Sequence, residues 1–458
     1  MSDFEYFRLF ALRTWLRVMA GVGFLLTGSP ALAQTDSATQ TYSTTNAAAS
    51  AVTQNDSTSK TPDDSRAHTS LGKELLDLQL GPFALHPRLV AGAIYDDNIL
   101  LSVANKEADL EWTVQPALQA VAGDDAALLA YRDLNYDVLG LSPGGLIVQQ
   151  PELWPGKFLL IDYGPRFQLF DKYTANNSID ELGTLNLLWP MHKLIVGFKQ
   201  DYRLEKTEII EFDQRATVET ISSALSAAYQ LGDATSIESN FRRISVGYNQ
   251  AGLTGYTEYN TEDWFNYQLK ENVPISLGVL AGEDVVADRQ DQTYEQLRVR
   301  ARYSYTEKLA FDASGGGELR QYQNGNSATL SPVFTIAGEY RPTERSTVRL
   351  SGFRQQYASI FNGYNYSTTG ASLEGRQGIT DRFTAALSVG YYSIDYTPIS
   401  RGVSSSTGDY YIARISLEAK IIRHLNGQIY YQLLSSQSQV GGGGVTDNQT
   451  GVQLTLGF

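Results

Sequence analysis

From about His86 to Phe458 the apolar residues of this chain fall at every second position, and no unbroken apolar run long enough for a spanning helix interrupts them. A period of two places alternate side chains on opposite faces of a strand, whereas a helix needs a period near 3.6. In "YIARISLEAKI", Tyr411, Ala413, Ile415, Leu417, Ala419 and Ile421 share one face; Arg414, Ser416, Glu418 and Lys420 share the other. "LRVRARYSY" sets Leu297, Val299, Ala301, Tyr303 and Tyr305 against Arg298, Arg300, Arg302 and Ser304. "FTAALSVGYY" repeats the rule with Phe383, Ala385, Leu387, Val389 and Tyr391 on the apolar side. Composition agrees, because 28 Tyr, 40 Gly and 18 Phe beside 3 Met favour strands and turns over helices.

The connections alternate too. Tight ones are Leu231–Ser236, Lys270–Pro274, Arg341–Ser346 and Gly378–Arg382; longer polar ones are Thr207–Ala216, Glu283–Gln292, Thr397–Gly408 and Ser436–Asn448. Short turns at one rim and long loops at the other belong to membrane barrels. No helices are available to cover so many apolar faces, so those faces are expected to meet hydrocarbon. There every backbone N–H and C=O must be paired within the protein, which strands achieve only by closing. The predicted fold is all-β, a transmembrane antiparallel β-barrel of the bacterial outer membrane. Counting back from Phe458 yields about 19 candidate strands where an even number is required, so about 18 are expected, with roughly 16 to 20 tolerated. Either Leu141–Gly156 conceals a further strand or Ala127–Leu139 does not span.

In the last strand Val452, Leu454, Leu456 and Phe458 are expected to face lipid, with Gly451, Gln453, Thr455 and Gly457 inward. The terminal Phe458 resembles the sorting signal read by the outer-membrane barrel assembly machinery. That machinery, outer-membrane lipid and lipopolysaccharide are the expected partners.

At the other end Arg8, Arg13 and Arg17 precede "VMAGVGFLL" (Val18–Leu26), Pro30 and "ALA" (Ala31–Ala33), the order of a secretory signal over residues 1–33. The apolar run is about half the ~20 residues of a spanning helix. Residues 34–70 are rich in Ser and Thr and poor in large apolar side chains, so they are expected to form a disordered linker. Residues 71–85 form a short amphipathic lead-in, in which Leu71–Leu80 suits one or two helical turns. The barrel is assigned to 86–458. Cysteine is absent, which removes a disulfide framework. A formal charge of −14 gives no basic field for nucleic acid.

With apolar faces outward, the opposite faces line the interior. The predicted lumen wall includes Lys199, Arg203, Arg298, Arg300, Arg302, Asp312, Glu318, Arg320, Arg414, Glu418 and Lys420. Mixed charge there implies either a conducting wall or a salt-bridged, closed interior; conduction is the expectation, and a closed barrel that docks a partner through its loops or N-terminal arm is the rival. A surface adhesin is a third reading. The pairs Tyr391–Tyr392, Tyr410–Tyr411, Tyr430–Tyr431 and Trp264–Phe265 suit interface girdles or cross-strand packing. "YDDN" (Tyr95–Asn98) offers oxygen ligands but too few for Ca²⁺, and is expected to be a turn. "GGGG" (Gly441–Gly444) has no following Lys or helix and reads as a loop tip. His68, His86, His192 and His424 are the only histidines, and none falls in a long loop. No catalytic residue, metal or cofactor is assigned.

"LGPFALHPRLVAGAIYDDNILLS" (Leu80–Ser102) followed by "VQPAL" (Val114–Leu118) resembles the opening of a family of outer-membrane β-barrel porins that often accompany exopolysaccharide export systems. The resemblance implies a passive barrel, with polysaccharide export components as further partners. It supplies no catalytic residues.

Overall fold

The computed structural model describes residues 78–457 apart from 124–155, 210–213, 251–252, 271, 288–290, 323–327, 360–363, 399–404 and 439–442. The signal, the linker, Ala127–Leu139, all but the last residue of Leu141–Gly156, and Phe458 lie outside the described residues. The strands are β1 (Leu78–Leu80), β2 (Phe83–Asp96), β3 (Asp109–Gly123), β4 (Phe158–Tyr163), β5 (Arg166–Phe170), β6 (Ser178–Pro190), β7 (Leu194–Ile209), β8 (Gln214–Gly232), β9 (Thr235–Tyr248) and β10 (Tyr256–Lys270). They continue as β11 (Val273–Val286), β12 (Gln292–Thr306), β13 (Leu309–Tyr322), β14 (Thr329–Thr343), β15 (Ser346–Ala358), β16 (Tyr364–Gly378), β17 (Phe383–Pro398), β18 (Ser406–Ile422), β19 (Leu425–Ser438) and β20 (Gly443–Gly457).

Except for β4 and β5, each pairs antiparallel with the next strand in the chain, and β20 returns to β2 with Arg88 opposite Gly457 and Asp96 opposite Gln449. The ladder therefore closes, leaving no edge. β4 and β5 both pair between β3 and β6, so they are two halves of one stave. They part at Gly164–Pro165, where proline has no N–H to give the ladder. β1 folds back on the first residues of β2, with Leu78 opposite Leu85, below the reach of β20. Among the described residues the barrel thus has eighteen staves.

Two local expectations change. Leu78–Leu80 is extended rather than helical, because pairing with β2 outweighs a weak local preference. The long connections are also shorter than composition suggests: β19 runs to Ser438 and β20 restarts at Gly443, so most of Ser436–Asn448 is strand. Strands of 13 to 19 residues from β6 to β20 exceed the ~9–11 needed to cross a bilayer. Their polar ends keep pairing beyond the hydrocarbon, where apolar alternation is no longer required. Among the described residues the only helical piece is the 3₁₀ turn Thr174–Asn176, and no helix is long and apolar enough to cross a membrane.

The closed ladder separates two surfaces. Leu297, Val299, Leu350, Leu387, Ile415, Val452 and Leu454 are exposed on the outside, while Arg298, Ser416, Gln453 and Thr455 are buried on the opposite face. Tyr391, Tyr411 and Tyr431 also point outward, and the hydroxyls of Tyr391 and Tyr431 donate to Asp409 (2.8 Å) and Asn448 (2.7 Å). From Phe383 to Tyr391 a tilted strand rises about 20 Å, close to the apolar band of an outer-membrane barrel. Trp264, offered by the sequence for a girdle with Phe265, instead faces inward, 4 % exposed, while Phe265 faces out.

Inward rings lie over glycines on the neighbouring strand. Trp264 is opposite Gly278, Tyr294 opposite Gly282 and Tyr430 opposite Gly451. A Cβ at any of these glycines would enter the facing ring. Gly278→Val must displace Trp264, and with it the contacts of Arg300 and Glu262. We expect it to cost about 1–3 kcal/mol, read as the urea concentration at which the compact, heat-modifiable species is lost on a gel.

Candidate functional site: the inner wall

The inner wall differs between its two ends. Connections of two or three residues, such as Asp233–Ala234 and Glu307–Lys308, define a turn-side rim; the opposite rim carries the longer connections, such as Asp97–Ala108. His86, His192 and His424 all lie at the turn-side rim. The connection from β3 to β4 also leaves from there, since Gly123 is paired with Phe158.

Toward the loop-side rim the inward side chains are packed against one another. Arg320, 1 % exposed, donates to Asp284 and Glu318 at 2.7 Å each and to Gln292 at 3.0 Å. Its guanidinium lies 4.5 Å from the ring centre of Tyr294, whose hydroxyl donates to Glu258. Gln292 and Asn365 exchange amide hydrogen bonds of 2.8 and 2.7 Å, joining β12 to β16 across three intervening staves. On another sector Arg166 holds Asp180 (2.5 Å) and Glu205 (3.4 Å). Such fork-shaped, buried contacts fix geometry because each guanidinium leaves few donors unused. Tyr366, Tyr396, Tyr410 and Leu434 add an apolar cluster on the same inner face.

Toward the turn-side rim several charged side chains are more exposed, while Val121, Phe158, Leu188 and Ile195 pack together in one sector. Arg302 and Asp312 are 3.7 Å apart, and Lys199 and Asp201 are 3.1 Å apart, all with partly exposed side chains. Arg203, nearer the loop-side rim, shares a face with Glu205 and is exposed. Arg300 donates to Glu238 (2.8 Å) and Asn266 (3.0 Å) and stacks 4.3 Å from the Trp264 ring centre. Arg298 donates to Ser314 at 2.6 Å. Arg414 lies 3.9 Å from the Tyr430 ring centre, and Glu418 accepts from Arg376 at 3.0 Å. Lys420, opposite Asn426, follows Glu418 on that face. Of the eleven side chains named from the sequence, the structure brings Glu318 and Arg320 into one cluster and Arg302 and Asp312 into a pair. The rest are distributed along the wall.

Sequence reasoning missed the partners that organise the loop-side end: Glu258, Asp284, Gln292, Tyr294, Asn365, and the set Arg166, Asp180 and Glu205. "YTEYNTEDWF" hides the first of these, since polar residues occupy both faces there. A split stave hides Arg166.

Asn98 forms a turn after β2. Its side chain bonds the N–H and C=O of Ser102 (2.8 and 3.0 Å) and the C=O of Thr446 (3.1 Å). Carboxylate oxygens of Asp96, Asp97 and Asp447 lie within 4.8 Å of one another at the seam between β2 and β20.

No protein-family model and no curated sequence matches the chain. Among solved structures it is similar to OccK2 (OpdF) of Pseudomonas aeruginosa in complex with glucuronate, at 11 % identity and a TM-score of 0.45, covering 83 % of this chain and 99 % of that one. It is also similar to OccAB4 of Acinetobacter baumannii, at 9 % identity and TM-score 0.41 (82 % and 98 % covered). A third is a loop-deletion mutant of OmpT, an outer membrane protein of Vibrio cholerae, at 10 % identity and TM-score 0.36 (82 % and 100 % covered).

Proposed function

We propose that the protein is a passive outer-membrane channel for polar solutes, with its turn-side rim in the periplasm and its loops outside. The observation that carries the reading is the closed ladder with one apolar, exposed face and an opposite face on which polar and charged side chains recur from rim to rim among a few apolar clusters. Barrels of this strand number enclose water, and a polar wall serves only something polar passing along it. The eleven side chains from Lys199 to Lys420 belong to that wall, and the packed loop-side half is its narrow part. Inward tyrosines beside amides and carboxylates suit sugar rings, which offer an apolar face and hydroxyls together. A role beside exopolysaccharide export, with export components as partners, is the finer form of this proposal. The reading assigns lipid and lipopolysaccharide to the apolar band, the assembly machinery to the barrel's insertion, and no catalytic step to any residue.

The same packing of the loop-side half favours one rival, a sealed barrel that docks a partner. Planar-bilayer recording separates them. We expect the folded, purified protein to give discrete current steps in potassium chloride; silence at every voltage and salt concentration would leave the sealed barrel standing.

A further inference from the structure

Resting on the channel reading, we infer that the loop-side half of the wall is a cation filter, so that the barrel admits cationic and uncharged polar solutes and holds back anions. Eleven acidic side chains are buried among the described residues, against three arginines, Arg166, Arg298 and Arg320. Glu238 apart, these acids sit from mid-wall to the loop-side rim. They come from two sectors of the ring, one with Asp447 on β20, Asp96 on β2, Glu111 on β3 and Asp180 on β6, the other with Glu258 on β10, Asp284 on β11 and Glu318 on β13.

Two arginines are already engaged, Arg320 by two carboxylates and Arg166 by two more. Their charge is spent locally; Arg203, Arg215 and Arg242 add inward cations, yet ten buried acids from mid-wall to the loop-side rim still outnumber them, and the remaining field is negative. A second observation points the same way. Glu111 is 2 % exposed; Arg215 and Arg166 act on its charge, but its Oε1 accepts no hydrogen bond and so has room for a further donor or a passing cation. The turn-side half is built differently, since its inward cations Lys199, Arg302 and Arg376 each face one carboxylate, Asp201, Asp312 and Glu418, so the two signs balance there. Low-dielectric walls focus such a field along the axis, and the narrow segment sets selectivity because a solute loses most of its water there.

The test is the reversal potential of the folded protein in a planar bilayer under a potassium chloride gradient. Potassium is expected to be favoured over chloride on the order of tenfold. A double variant, Glu262→Gln with Asp447→Asn, should bring that ratio toward one, while Glu283→Gln, on the outer face of β11, should leave it unchanged. Chloride permeability equal to or above that of potassium would overturn the inference and leave the channel standing. Absence of any current would instead overturn the channel. If the double variant does not assemble, the wild-type reversal potential decides alone.

Discussion

Arg320→Ala is expected to lower the unfolding free energy of the barrel by about 3–5 kcal/mol, the cost of leaving buried carboxylates without their cation. The side chain reaches from β13 past β12 to β11, holding Glu318 and Asp284 at 2.7 Å each, and all three side chains are nearly inaccessible. Glu258 is tied into the same cluster through Tyr294. Once the guanidinium is gone, like charges face one another in a place water scarcely reaches. Arg320→Lys keeps the charge but lacks the planar fork, so it should recover only part of the loss. Adding Asp284→Asn and Glu318→Gln to Arg320→Ala should also recover part, because Glu258 is then the one carboxylate left in the cluster. A mere cavity would not respond that way. Urea unfolding followed by tryptophan fluorescence reads all three, and a loss for Arg320→Ala below about 1 kcal/mol, typical of an exposed pair, would show that the cluster is solvated in use.

The architecture was legible because lipid imposes a strict rule on one face. Where a strand crosses hydrocarbon, as Phe383–Tyr391 and Tyr411–Ile421 do, alternation is nearly complete, and both the direction of each face and the closed fold follow from it. The last strand obeys the same rule, with Val452 and Leu454 outside and Gln453 and Thr455 inside. Beyond the hydrocarbon nothing forces alternation, so strand ends in Ser436–Asn448 and Glu283–Gln292 looked like loop. The stave divided at Gly164–Pro165 was obscured for another reason, since each half is too short to show a period. Site residues were legible only where they alternate with apolar neighbours, as Arg298, Arg300 and Arg302 do. Glu258 and Glu262 share β10 with Thr257, Tyr259, Thr261 and Asp263 on its other face, so no contrast marked them. Partnerships such as Arg166 with Glu205, or Gln292 with Asn365, depend on curvature and register, which a linear pattern does not encode.

The rule that made the fold legible carries a second large effect. Ile415→Arg should destabilise the barrel by about 2–4 kcal/mol, whereas Ile421→Arg on the same strand and face should cost about 0–1 kcal/mol. Ile415 is 56 % exposed on the outer face of β18, four residues from Tyr411 and opposite Leu387 and Tyr431, which places it within the apolar band. Ile421 also faces outward but sits one residue from the turn-side end of β18, where a long side chain can reach the interface. One position away from Ile415 the chain already carries an arginine: Arg414 turns inward, over the ring of Tyr430 and 3.3 Å from Gln432. Side-chain chemistry is thus the same at 414 and in the 415 variant, and only the face differs. Reversible urea unfolding in lipid vesicles measures the two variants on one scale. Equal costs at 415 and 421 would mean that no hydrocarbon lies against β18, and the outward assignment of every alternating strand would go with it.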